Sequence, residues 1–212
     1  MIDTMDFWDR KAQRYATSPI ADMRAYKYTL ERTQSHLRAD DRVLELGCGT
    51  GMTAAHLAPG VGEYVATDMS GEMAKIAQAR ADEAGLTNMT VRTGGVQDIV
   101  FDGGRYDAVL AFNLLHLLDD LPGALAGISR LLRPGGLFIS KTICLPDRGF
   151  PLKLTLMRAI LPLMQLAGQA PHVRITKIRE LEREIFHAGF EIIETGNHPA
   201  NPPSRFIVAR RA

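Results

Sequence analysis

The sequence predicts an α/β fold, a mostly parallel, doubly wound sheet with helices on both faces. Three observations carry that expectation. Residues 40–145 alternate short apolar runs with helical segments, the order that gives parallel strands joined by right-handed crossovers. One run, Tyr106–Phe112, is apolar almost throughout, as in a strand buried on both faces. The last two apolar runs, residues 190–195 and 205–210, are separated only by residues 196–204. That gap is too short for a crossover helix, which makes the two runs antiparallel neighbours.

Taken in order, Phe7, Trp8, Ala12 and Tyr15 lie at helical spacing, and a second helical segment runs from about Met23 to Leu37. Ser18-Pro19 separates them. Arg42–Leu46 is a short apolar strand, residues 53–57 a short helix stopped by Pro59-Gly60, and residues 64–67 a strand. Ser70 is placed to cap a helix to Ala84, with Gly85 in the terminating position. Met89–Thr93 is a strand, and Pro122 opens a helix to Leu132 that Pro134-Gly135-Gly136 ends. Residues 137–144 form another buried strand. Thr176 is expected to cap a helix to Ala188, closed by Gly189. The chain then divides into a helical cap (1–39), a core (40–145), an apolar insertion or lid (146–172) and a closing helix with two strands (173–212).

Composition bounds the function. A chain of 212 residues buries roughly 70% of its unfolded surface, enough for one domain with an added lid. Lys and Arg number 25 against 24 Asp and Glu, a formal net charge of +1. That balance argues against nucleic acid as a partner. Two cysteines, Cys48 and Cys144, suit a reducing compartment. The opening residues suggest no targeting signal. The longest apolar stretch, residues 150–166, is broken by Lys153, Arg158 and Pro162 and falls short of the roughly 20 apolar residues of a membrane span. A cytoplasmic protein is expected, and no histidine or cysteine spacing suggests a metal.

The strongest chemical signal is Val43-Leu44-Glu45-Leu46-Gly47-Cys48-Gly49-Thr50-Gly51. A buried strand ends in glycines at alternate positions and a helix follows. Glycine lets the chain turn tightly and lets a ligand press on the backbone, and the helix start adds free N–H donors. The dinucleotide fingerprint G-x-G-x-x-G has its last glycine one residue later. Asp68 ends the next strand, 21 residues after Gly47. It is either a turn residue ahead of Ser70 or a carboxylate that takes the hydroxyls of a ribose.

These residues resemble the class I S-adenosylmethionine-dependent methyltransferases. Val43–Gly51 is similar to that family's glycine motif. The likeness continues through residues 64–73 with Asp68, residues 106–118, and residues 131–140 with their Arg-Pro-Gly-Gly turn. It implies a Rossmann-like sheet of seven strands in the order 3-2-1-4-5-7-6 with strand 7 antiparallel, and S-adenosylmethionine as cofactor. Glu45 and Gly47 would face its methionine part, Gly49 and Gly51 would let it approach, Asp68 would hold the ribose and Met69 would pack on the adenine. The family commonly has Gly-Asp-Ala where this chain has Gly94-Gly95-Val96-Gln97, so adenine recognition falls to backbone near Val96, or to Gln97 or Asp98. Tyr15 either covers the methionine end or packs the cap helix on the core. Residues 15–20 are also similar to bacterial phospholipid and quinone methyltransferase-like proteins.

Methyl transfer asks the protein mainly for position and a dry site. Asn113 and His116 follow the strand at residues 106–112, where ligand groups gather in such sheets. His116 is either a proton acceptor, titrating near pH 6.5 when unperturbed, or a polar residue at the sheet edge. Asn201-Pro202-Pro203-Ser204 resembles the signature of amino-group methyltransferases but stands before the last strand and lacks the aromatic; it is expected to be a turn. The greasy insertion needs a partner: the protein's own core, a second subunit in a homodimer, a membrane surface, or an apolar acceptor. The expected function is methyl transfer to an O, N or C atom of a small, apolar or amphiphilic acceptor. An NAD-dependent oxidoreductase and a non-catalytic S-adenosylmethionine-binding subunit are the alternatives.

Overall fold

The computed structural model describes residues 4–99, 105–146, 170–171, 173–174 and 176–212. The strands are β1 (Arg42–Leu46), β2 (Glu63–Asp68), β3 (Met89–Thr93), β4 (Tyr106–Phe112), β5 (Leu132–Ile143), β6 (Phe190–Ala200) and β7 (Pro203–Arg211). They form one seven-stranded sheet in the order β3-β2-β1-β4-β5-β7-β6. β1 to β5 are parallel, and β7 runs antiparallel to both β5 and β6. The expected order and direction are therefore those found.

Alternation along the strands builds two cores. Val43 and Leu44 are both fully buried but on opposite faces. On Leu44's face, Val109, Phe138 and Ile207 pack against α6 (Leu121–Leu131) and α7 (Ile178–His187). On Val43's face, Leu110, Ile139 and Phe206 pack against α2 (Met23–His36), α3 (Met52–Leu57) and α4 (Gly71–Glu83). This is why the inner strands are apolar at nearly every position.

Side-chain caps fix where the helices begin. Asp22 accepts from the Ala25 N–H at 2.9 Å, Ser70 from the Met73 N–H at 3.1 Å and Asp120 from the Gly123 N–H at 2.9 Å. α1 (Thr4–Thr17) packs on α4. Asp9 Oδ1 accepts from the Ser70 hydroxyl at 2.5 Å and the Glu72 N–H at 3.1 Å. Those bonds hold its carboxyl below the usual range. α2 is clasped to β6 by Glu194, which accepts from Arg32 Nε at 2.9 Å and pairs with His36 Nε2 at 2.8 Å. Tyr28 stacks on His198 with ring centres 3.6 Å apart.

Three expectations are corrected. Thr176 does not cap α7: Lys177 stands at that position with no side-chain cap, and the Thr176 carbonyl instead accepts from the Leu145 N–H at 2.9 Å. Residues 196–204 are not a loop, because β6 and β7 extend through them and pair down to Ala200 and Pro203. Two register shifts in β6 absorb its irregular sequence, so pairing overrides weak strand propensity there. Pro134-Gly135-Gly136 lies inside β5, where a register shift opposite Tyr106 and Ala108 accommodates it. A short helix α5 (Val96–Ile99) and a 3-10 turn (Leu115–Leu117) had no signal in the apolar pattern. Of Asn201-Pro202-Pro203-Ser204, expected to be a turn, the first two residues are one and the last two open β7. The apolar insertion falls, but for residues 146, 170 and 171, outside the described residues.

Candidate functional site

A cavity of about 690 Å³ opens over the carboxyl ends of the strands, beneath α1 and the start of α2. At its first end β1 runs into the glycine loop, where Gly47, Gly49 and Gly51 have φ of +66°, +55° and +72°. The last two serve different needs. A Cβ on Gly49 would point into the cavity and meet only Tyr15 Cε1, at 3.8 Å. A Cβ on Gly51 would lie 2.7 Å from Ala77 Cβ and 2.9 Å from its Cα. Gly51 therefore lets α4 approach the loop and does not itself line the cavity.

Asp68, at the end of β2, is fixed by the backbone. Oδ2 accepts from the Gly49 N–H at 2.8 Å and Oδ1 from the Ser70 N–H at 2.9 Å. Burial raises its carboxyl above the ordinary value, with those two bonds pulling the other way. Glu45 is buried beside it and accepts from the Tyr64 hydroxyl at 2.8 Å. Burial pushes its carboxyl to about 7, against the Tyr64 bond and with help from the Asp68 charge. Two desolvated carboxyl groups thus stand at the glycine loop, each with lone pairs left over.

Around them the cavity wall includes Tyr15, Gly47, Gly49, Met69, Val96 and Asn113. Tyr15 sits over the loop with Trp8 edge-on to it at 6.2 Å, and burial followed by the Asp68 charge raises its phenol. Asp98 Oδ2 accepts from the Gly95 N–H at 2.8 Å, and its side chain is not on the cavity wall. Gln97 belongs to α5, and its side chain lies outside the described structure. Asn113 adopts φ +55° and donates its N–H to the Lys141 carbonyl at 2.7 Å. His116 is not on the wall. Its neighbours Leu114, Leu117 and Leu118 are. Burial lowers the His116 imidazole to about 4, and Nδ1 has no hydrogen-bond partner among the described residues.

The second end of the cavity was not anticipated from the sequence. It is walled by Asp22 and Ala25 of α2's start, Lys141 and Ile143 of β5, and Pro199, Pro202 and Ser204 of the β6–β7 tip. The one signal available was a lysine inside the apolar run at residues 137–144, since a charge in a buried strand is rare without a purpose. Among the described residues no group of His, Cys, Asp and Glu is arranged to hold a metal ion. Among the same residues no helix is long and apolar enough to cross a membrane.

A glycine loop, a fixed acid at the end of β2 and this strand order define a class I methyltransferase fold. The chain matches the family described as "Methyltransferase domain" over residues 43–136. It is 29% identical over 161 residues to a ubiquinone biosynthesis O-methyltransferase of Azorhizobium caulinodans, covering 76% of this chain and 63% of that one. Among solved structures, magnesium protoporphyrin IX methyltransferase of Synechocystis PCC 6803, with bound SAH, superposes with a TM-score of 0.74 at 19% identity over 98% of each chain. Geranyl diphosphate C-methyltransferase of Streptomyces coelicolor A3(2) superposes with a TM-score of 0.75 at 17% identity, covering 99% of this chain and 97% of that one. The chain spans 35 to 63% of the length of four curated relatives it matches.

Proposed function

We propose that this protein transfers a methyl group from S-adenosylmethionine to an O, N or C atom of a small, apolar or amphiphilic acceptor. The observation that carries the reading is Asp68. The Gly49 and Ser70 N–H groups hold its carboxylate at the cavity, beside a loop whose middle glycine leaves space for a ligand. An acceptor-only carboxylate with free lone pairs suits a pair of vicinal hydroxyls. Glu45, whose carboxyl sits at about 7, offers an acceptor and, once ionised, a second negative charge for a cationic amino acid end, and Met69 and Val96 give an apolar seat for a purine. When bound, the cofactor supplies an electrophilic methyl carbon on a sulfonium and leaves as its thioether.

The chain's own part is placement. Tyr15, 49% exposed, and Trp8 stand on the cavity wall beside the loop, placed to pack against a bound cofactor and shield its reacting carbon. Asn113, held by its N–H to the Lys141 carbonyl, sets the boundary between the two ends. Among the described residues no histidine lines the cavity, so the geometry favours catalysis by alignment and water exclusion over proton abstraction by His116. The compounds in the names of the two solved relatives, magnesium protoporphyrin IX and geranyl diphosphate, have large apolar bodies, which supports an acceptor of that kind. The reading extends to a cytoplasmic enzyme and leaves the apolar insertion as a lid, a homodimer contact or a membrane contact.

Calorimetry with S-adenosylhomocysteine tests the proposal. Asp68→Ala removes two charge-assisted bonds to the ligand and is expected to weaken binding by about 100-fold or more. Unchanged affinity would sink the ribose assignment. A thermal shift with NAD and none with S-adenosylhomocysteine would turn the reading toward an oxidoreductase.

A further inference from the structure

Lys141 stands in β5 with Phe112 of β4 and Phe206 of β7 as its register partners. It is 9% exposed, in a position where packing alone would favour an apolar side chain. Its Nζ donates to Thr29 Oγ1 at 2.9 Å and to the Ala25 carbonyl at 3.3 Å. Both partners are neutral, and Thr29 already donates its own proton to the Ala25 carbonyl at 2.8 Å. An ammonium has three N–H donors, and the described residues take up two of them. Among the described residues no carboxylate comes within ion-pair distance of Lys141. Asp22 is the acid that acts on it, and that carboxylate caps the Ala25 N–H. Burial lowers the Lys141 ammonium from its ordinary value.

Lys141 is also the single Lys or Arg among the described residues lining the cavity, which otherwise carries Asp22, Glu45, Asp68 and Asp119. The negative groups Glu45 and Asp68 gather at the glycine loop. Lys141 lies two strands away, roughly 10 Å at the usual strand spacing. A buried cation with no carboxylate in ion-pair contact among the described residues is costly. It is relieved when a ligand brings the anion.

We infer that Lys141 is the head-group site for the acceptor, pairing with the carboxylate or phosphate of an amphiphile whose apolar body lies along Phe112, Ile143, Pro199 and Pro202. The inference rests on the methyltransferase reading for calling this ligand the acceptor, and on the geometry alone for the anion site. It also explains how a chain of near-zero net charge selects a charged molecule: one cation in a dry wall discriminates where a surface field does not.

The test uses the full chain and the fluorescence of Trp8, the sole tryptophan, which lines the same cavity. Octanoate, octyl phosphate and 1-octanol are titrated into the unaltered protein, Lys141→Met and Lys141→Arg, each with and without saturating S-adenosylhomocysteine. In the unaltered protein at least one of the anions is expected to bind ten or more times tighter than octanol, and the better one identifies the head group. Lys141→Met abolishes that preference, Lys141→Arg retains it, and S-adenosylhomocysteine affinity stays within twofold in both. Equal binding of all three probes to the unaltered protein overturns the inference, as does a preference that survives in Lys141→Met. If Lys141→Met does not fold, the probe preference of the unaltered and Arg proteins decides. Anion preference without S-adenosylhomocysteine binding removes the methyltransferase reading and leaves the anion site; the converse does the opposite.

Discussion

At the end of β1, one continuous stretch of chain, residues 45–68, supplies the glycine loop and both carboxyl groups of the site. At the end of β5, the wall is assembled from residues 22, 25, 141, 143, 199, 202 and 204, brought together only by the completed sheet. The first end uses backbone N–H groups and missing side chains, which vary little from one ligand to the next. The second uses side chains carried on a helix start, a strand and a hairpin tip, each replaceable without touching the other end. A fold built this way keeps one ligand constant and lets the other change.

That contrast is breakable, most severely at the glycines. Gly51→Ala puts a methyl group against Ala77 in a left-handed backbone conformation. It is expected to cost about 3 kcal/mol in urea unfolding. Gly49→Ala has room for its methyl in the empty cavity, should cost about 1–2 kcal/mol for its backbone alone, and should fail instead in S-adenosylhomocysteine calorimetry. Equal stability losses at both positions would show that the loop is held together as a unit rather than opened to a ligand at Gly49.

Glu45 gives an effect of similar size to that at Gly51. Its carboxyl sits at about 7 in the folded chain against 4.5 in the unfolded one, so the folded form binds the proton more tightly. Its contribution to stability is present below pH 4.5 and is lost as the pH rises to about 7, by about 3 kcal/mol. Glu45→Gln keeps an acceptor for Tyr64 and should flatten that part of the melting-temperature profile. A profile identical to that of the unaltered protein would mean the carboxyl is solvated. At the opposite end, Glu194→Gln loosens the clasp between α2 and β6 and should cost about 1 kcal/mol or less, as partly exposed pairs do. Hydrogen bonds from Arg32 hold that carboxyl at about 2, so this contribution is present above pH 4.5 and disappears as the pH falls toward 2. S-adenosylhomocysteine affinity should not change with it.

Legibility follows the same division. That Gly47, Gly49, Asp68 and Met69 stand together at strand ends was legible, because turn chemistry and strand ends are local properties, and the sheet order followed from a family likeness in the same stretch. Gly51 was read as a ligand contact, and the structure gives its glycine a packing reason that only the position of Ala77 reveals. His116 was singled out for lying just past a strand end, but chain position does not say which way a side chain turns. In the 3-10 turn at Leu115–Leu117 the leucines on either side of it line the cavity in its place. Lys141 stood out only as a charge in an apolar run, and nothing in residues 137–144 announces that α2 and the distant Pro199–Pro202 tip will close over it.

The turn at residues 68–72 holds one more consequence. Its Ser70 N–H goes to Asp68, while its Ser70 hydroxyl and Glu72 N–H go to Asp9 of the covering helix. Whatever orders that turn therefore lowers the entropic cost of both attachments. On the proposed function, occupancy at Asp68 and docking of α1 are thermodynamically linked, and by reciprocity a chain whose first helix is held down would grip its ligand harder.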